Sequence, residues 1–284
     1  MRKLVIFGDS TTQEYSEKSY PQQGWVYGVR DAFKEDIEVL NVAHGGYSLK
    51  MFQYSGEYSK GTVKCNEPQK SEWYQIKELL NRGDFMIFYS AGINDKLQTG
   101  LDAYREQENG DYVRDWQNRK RESYIHIGKG LGTHGFFTVT ASLEEYVEIF
   151  CQMVNEVKKL GVIPILVRGT GKYYKVHNDD RNVISVVREY SRAVEDVAKR
   201  TNSLYLDVGS EFEREFGESG YDKMMARYFL SSPDFDDNVH YNMEGAKKIA
   251  DLFIEKLKET DSELKQYLKE NHDVVKAVEE KRLS

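Results

Sequence analysis

Five short, mainly apolar runs, at 4–7, 37–42, 85–89, 163–167 and 204–208, alternate with segments of helical period at 24–33, 73–81, 142–160, 184–200 and 244–260. A strand covered on one face alternates apolar with polar residues, whereas a run that is apolar throughout fits a strand covered on both. Such runs separated by helices predict an α/β fold with a doubly wound parallel sheet. The unit from 142 to 167 is the most sharply written. Ser142 with Glu145 has the spacing of a capping box, and Gly161 supplies a stop before Val162-Ile163-Pro164-Ile165.

With 284 residues, no internal repeat and no Pro- or Ser-rich linker, a single domain over 1–260 is the simplest organisation. The region 96–141 interrupts the rhythm with charge, glycine and the aromatics Tyr104, Tyr112, Trp116, Tyr124, Phe136 and Phe137, and reads as an insertion. Beyond it, residues 261–284 set Leu264, Tyr267, Leu268, Val274, Val275 and Val278 among charges. That pattern predicts a C-terminal helical extension, packed on the domain or on a second copy in a homo-oligomer.

A net charge of -7 gives no positive field for nucleic acid or for an anionic membrane surface. No stretch is long and apolar enough to span a bilayer, and the amino terminus lacks the apolar region of a secretory signal, so a cytoplasmic protein is expected. Cys65 and Cys151 match no metal-ligand spacing, and Cys151 reads as a small buried thiol in a helix. His126, His134 and His177 are scattered in loops and expected at the surface. Neither a metal nor a cofactor is expected.

Open parallel sheets bind ligands outside the carboxyl ends of their strands. Here the first run ends in Gly8-Asp9-Ser10, the second in Asn41-Val42-Ala43-His44-Gly45-Gly46 and the third in Gly92-Ile93-Asn94-Asp95. A serine hydroxyl is a weak nucleophile until a base takes its proton, and that base needs an orienting acid. Asp237-Asn238-Val239-His240 sets an acid and a base three residues apart, just before the last helix. Acyl transfer also needs donors aimed at an oxyanion. The backbone N–H groups of Ser10 and Gly46 and the side-chain amide of Asn94 are the candidates.

These blocks together resemble the SGNH (GDSL-type) hydrolases, and within them the rhamnogalacturonan acetylesterase-like branch. The resemblance rests on Gly8-Asp9-Ser10-Thr11, Asn41-x-Ala43-x-x-Gly46-x-Ser48, Gly83-Asp84, Gly92-x-Asn94-Asp95 and Asp237-x-x-His240-x-Asn242-x-x-Gly245-Ala246. It implies a flavodoxin-like three-layer sandwich and a metal-free serine esterase. Ser10 is then the nucleophile, His240 the base, Asp237 its partner, and Ser10, Gly46 and Asn94 the oxyanion hole. The substrate it implies is an O-acetyl ester on plant cell-wall-derived oligosaccharide. The same triad also serves lipases and thioesterases, and a silent carbohydrate-binding relative would keep the fold without the activity.

Tyr47 and Ile93 stand where the branch usually carries Arg and His, and Arg168-Gly169-Thr170-Gly171-Lys172-Tyr173-Tyr174 replaces its Pro and Arg after the fourth strand. The recognition surface therefore departs from the branch. Residues near the rim with a flat or polar face are Trp25, His44, Tyr47, Trp116, Tyr173 and Tyr174, the candidate substrate contacts, although His44 also suits a structural hydrogen bond.

Overall fold

The computed structural model describes residues 1–53, 68–96, 141–176, 179–231 and 237–270, and between 97 and 140 the backbone of four short strands. The strands are β1 (Arg2–Phe7), β2 (Ile37–Asn41), β3 (Phe85–Ser90), β4 (Tyr104–Glu106), β5 (Tyr112–Arg114), β6 (Ile125–Lys129), β7 (Gly135–Val139), β8 (Ile163–Arg168), β9 (Tyr173–Val176), β10 (Asp179–Ser185) and β11 (Leu204–Asp207). The helices are α1 (Val26–Val29), α2 (Leu49–Gln53), α3 (Glu72–Glu78), α4 (Leu143–Lys159), α5 (Arg188–Thr201), α6 (Val208–Ser219), α7 (Tyr221–Tyr228) and α8 (Met243–Lys258).

The five apolar runs form one parallel sheet in the order β11-β8-β3-β1-β2. Successive side chains of a strand point to opposite faces, and the burial obeys this. Leu4, Ile6, Phe85, Ile87, Tyr89, Ile165 and Val167 join the residues of α1, α6, α7 and α8 in one core cluster. Val5, Phe7, Met86, Phe88 and Leu166 join those of α3, α4 and α5 in another. Helices on both faces of a central sheet make the three-layer sandwich expected of the SGNH hydrolase fold. Strand order reverses between β1 and β3, and this is where a doubly wound sheet leaves a crevice at its carboxyl edge.

Ser142 and Glu145 make both hydrogen bonds of the capping box at the start of α4. At its end Gly161, with φ of 79°, carries the chain into a left-handed turn closed by Val162 N–H on the Val157 carbonyl.

Two regions depart from the sequence reading, the segment at 184 and that at 208–228. The segment at 184 is the end of a hairpin, β9–β10, because the β-branched run Val183-Ile184 pairs with Tyr174-Lys175 before α5 begins at Arg188. Helices α6 and α7 are additional, although Phe212 and Phe216, and then Tyr221, Met224, Met225 and Tyr228, are buried at helical spacing. The described part of the expected C-terminal helical extension is a 3-10 helix, Glu263–Tyr267. Leu264 there is fully buried in the main core, and Leu268 forms a bridge to Phe33. Among the described residues, no helix is long and apolar enough to cross a membrane. Cys151 is half-buried on α4 at the edge of the core, and Cys65 lies outside the described residues.

Candidate active site

Immediately after β1 the chain makes a tight turn on its own polar groups. Asp9 Oδ1 accepts from the Thr11 N–H and hydroxyl at 2.9 and 2.7 Å, and the Asp9 carbonyl accepts from the Thr12 and Gln13 N–H groups. Trp25 braces this turn by donating from Nε1 to Thr12 Oγ1 at 3.1 Å. The turn leaves Ser10 facing the crevice beside β3, only 9% exposed.

After β2 the side chain of Asn41 serves two loops. Its Oδ1 accepts from Ala43 N–H at 3.0 Å, while its Nδ2 donates to the Thr12 carbonyl at 3.1 Å. The next four residues, His44 to Tyr47, form a turn closed by Tyr47 N–H on the His44 carbonyl, with Gly46 at φ 79°. A positive φ at the third position of such a turn is the type II geometry that favours glycine. From β3, Asn94 reaches across and donates one amide N–H to the Tyr47 carbonyl at 3.0 Å. A primary amide carries a second N–H.

The last component is the loop before α8. Asp237 Oδ1 accepts from the Val239 and His240 N–H groups at 3.0 and 2.9 Å, which folds the loop back on the carboxylate. Asp237 Oδ2 lies 2.7 Å from His240 Nδ1, and His240 Nε2 lies 2.9 Å from Ser10 Oγ. A carboxylate can only accept, so Nδ1 carries the proton and Nε2 is left to accept from the Ser10 hydroxyl. Burial pushes the Asp237 carboxyl up, but the hydrogen bond and charge of His240 and the two backbone N–H groups outweigh it and hold the carboxyl below its ordinary range.

The loop is fastened below its functional side chains. Asn238 donates to the Tyr173 carbonyl at 2.6 Å, Leu230 N–H donates to the His240 carbonyl, and Tyr241 is fully buried with its hydroxyl on Thr170 Oγ1 and 3.2 Å from that of Tyr89. Asn242 caps α8 through Gly245 N–H. Sequence order alone gives no hint of this fastening, since Tyr89, the stretch carrying Thr170 and Tyr173, and Tyr241 stand on three separate segments.

Among the candidate substrate contacts, two must be corrected. Trp25 is fully buried, its ring 5.0 Å from Tyr89 and 5.1 Å from Phe253, so it supports the Ser10 turn from inside. Tyr173 is 1% exposed, packs 4.4 Å from Phe216 and accepts the Gly171 N–H on its hydroxyl, so it too belongs to the core. Apolar packing won at both positions over the access that rim proximity suggested. His44 and Tyr47 lie at the crevice mouth, stacked with ring centroids 3.7 Å apart, and His44 Nδ1 meets Glu72 Oε2 at 3.0 Å. Tyr174 is half-buried on β9, with Lys172 Nζ 5.9 Å from its ring centre. Trp116, His126, His134 and His177 lie outside the residues whose side chains are described.

A groove of about 700 Å³ opens at the amino-terminal edge of the same sheet, lined by Phe85, Lys158, Ile163, Leu204 and Glu259. It lies at the opposite end of the strands from Ser10, so its size does not make it the site. The rim, with a hydroxyl, an imidazole and a carboxylate in line, can carry out base-assisted nucleophilic attack.

Similarity to known proteins places the chain in a family. The family model of the GDSL-like lipase/acylhydrolase family matches residues 6–248. The chain is 23% identical to the probable rhamnogalacturonan acetylesterase YesY of Bacillus subtilis (strain 168) over 256 residues, covering 90% of this chain and 92% of that one. Among solved structures, the YXIM protein of Bacillus subtilis superposes with a TM-score of 0.59 at 19% identity, over 90% of this chain and 56% of that one, so this chain spans little more than half of its length. Axe2, an acetylxylan esterase from Geobacillus stearothermophilus, gives a TM-score of 0.55 at 17% identity over 95% of this chain and 97% of its own. The chain belongs to the GDSL-like lipase/acylhydrolase family and is a carboxylic ester hydrolase.

Proposed function

We propose that the protein removes O-acetyl groups from plant cell-wall-derived oligosaccharides, with Ser10 as nucleophile, His240 as base and then acid, and Asp237 as its orienting partner. The observation that carries this reading is the continuous line from Asp237 Oδ2 through the His240 ring to Ser10 Oγ, at 2.7 and 2.9 Å. The name of the relative from Bacillus subtilis, a probable rhamnogalacturonan acetylesterase, supports acetyl as the acyl group and carbohydrate as its carrier.

In the first half-reaction Ser10 Oγ attacks the acetyl carbonyl carbon while its proton passes to His240 Nε2. The carbonyl oxygen becomes an oxyanion held by the N–H groups of Ser10 and Gly46 and by Asn94 Nδ2. Collapse breaks the bond to the sugar oxygen, which takes the proton from His240, and leaves acetyl-Ser10. Water then gives a proton to His240 and attacks the acetyl carbon. The second collapse breaks the bond to Ser10 Oγ, which takes the proton from His240, and releases acetic acid, which ionises to acetate. His44, Tyr47, Tyr174 and Trp116 are the remaining candidates for contacting the sugar.

Incubation with 4-nitrophenyl acetate and with acetylated rhamnogalacturonan and xylan oligosaccharides is expected to release nitrophenol and acetate. Ser10→Ala is expected to lower kcat by about 10⁶-fold. Equal turnover by wild type and variant contradicts the assignment, and activity on the aryl ester alone contradicts the carbohydrate half of it.

A further inference from the structure

Two of the proposed oxyanion donors come from different strands and must converge on one atom. The Ser10 N–H follows β1, and the Gly46 N–H follows β2. Backbone bonds join the roots of the two loops, with Val42 N–H on the Ile6 carbonyl at 2.9 Å and His44 N–H on the Gly8 carbonyl at 3.1 Å. Past His44 the next link is a side chain. Gly45 N–H donates to Gln13 Oε1 at 2.6 Å.

Gln13 stands three residues after Ser10 on the same turn, and its own N–H is bonded to the Asp9 carbonyl at 3.0 Å. Its side chain is therefore an arm of the Ser10 turn reaching to the glycine turn. The contact is close on every side. A Cβ at position 45 would fall 2.8 Å from Gln13 Oε1, 3.5 Å from Ser10 Cβ and 3.7 Å from the Tyr15 hydroxyl. That same Tyr15 hydroxyl donates to the Ser10 carbonyl at 2.9 Å. Two consecutive glycines otherwise have the widest backbone freedom in a chain, and each conformer they sample moves the Gly46 N–H.

We propose that Gln13 is a positioning residue of the oxyanion hole. By accepting the Gly45 N–H it fixes the adjoining peptide, and with it the Gly46 N–H, against the Ser10 N–H before the substrate arrives. The inference rests on the reading of Ser10 and Gly46 given above. Donors held in place ahead of the reaction stabilise charge that develops only in the transition state, so their loss is felt in kcat and not in KM.

Gln13→Met preserves length and removes the amide acceptor, while Gln13→Asn preserves polarity and is too short to reach Gly45. Both are to be assayed with 4-nitrophenyl acetate, and kcat expressed per active site titrated with a fluorophosphonate, so that misfolded chains are not counted. The expected result is a fall in kcat of about 10- to 100-fold with KM within about twofold of wild type. The affinity for phenylboronic acid, which forms a tetrahedral adduct on a serine oxygen, is expected to weaken by the same factor. A kcat per titrated site within about twofold of wild type for both variants overturns the proposal, as does a change confined to KM. Ser10→Ala in the same assay tests the underlying site separately. If that variant turns over like wild type, the site itself is wrong; if it is dead while both Gln13 variants are unimpaired, only the positioning role falls.

Discussion

Two loops on the carboxyl rim of the sheet are each folded around an aspartate, Asp95 buried and Asp237 partly so, and the two end on opposite sides of their ordinary pKa of 3.8. Burial raises both. In the loop before α8, Asp237 collects two backbone N–H groups and the His240 Nδ1 proton, and these hold it low. In the loop after β3, Asp95 takes the Leu49 N–H at 2.8 Å, feels the charge of buried Asp9, and is pushed up to about 7. Lys50 opposes that rise but is engaged by Glu145 at 2.8 Å. Deeper burial with fewer donors raises Asp95, while shallower burial with more donors and the neighbouring imidazole keeps Asp237 ionised. One loop is thereby suited to steady an imidazolium. The other ties α2 to the loop after β3 with a carboxyl that takes up its proton at about 7.

Three substitutions break or sharpen this contrast, in descending order of effect. Asp237→Asn keeps an oxygen for the Val239 and His240 N–H groups but presents its amide to Nδ1, which favours the tautomer with a proton on Nε2. A fall in kcat of about 10⁴-fold with little change in Tm is expected from kinetics and thermal melts. Asp95→Ala leaves the buried Leu49 N–H without an acceptor and is expected to cost about 1–3 kcal/mol of stability by urea unfolding at neutral pH. Asp95→Asn keeps the acceptor and removes only the ionisation.

The pH dependence of stability separates the two loops further. Asp237 has a lowered folded pKa, so its contribution is present above its unfolded value and is lost as pH falls through the folded one, below 3.8. Asp95 has a raised folded pKa, so the folded state binds more protons than the unfolded one between about 4 and 7, and stability declines as pH rises through that window. Urea unfolding as a function of pH is expected to show Asp95→Asn flattening this decline and leaving the acid limb in place. An unchanged slope between about pH 4 and 7 contradicts the assignment of that proton to Asp95.

The parallel sheet was legible because runs such as Phe85 to Ser90 are buried throughout, and a strand of that kind has few alternatives. The candidate triad was legible because its acid and base share one short loop and its hydroxyl lies in the turn that follows the first strand. Trp25 and Tyr173 were misread because closeness along the chain to a rim residue says nothing about which way a ring turns. Helical period over 184–200 ran on from a hairpin strand, since Val183, Ile184, Val186 and Val187 fit either periodicity until the first two are seen to pair with Lys175 and Tyr174. The bond between Gln13 and Gly45 joins residues 32 apart, and no local pattern encodes it.

The central claim is that Ser10 Oγ is the atom that attacks the ester. Treatment with a fluorophosphonate, followed by intact mass and peptide mapping, tests it most directly. One phosphonyl group per chain, on the peptide carrying Ser10 and absent from Ser10→Ala, is the result predicted. Labelling at another residue, or none in a chain that hydrolyses 4-nitrophenyl acetate, contradicts it.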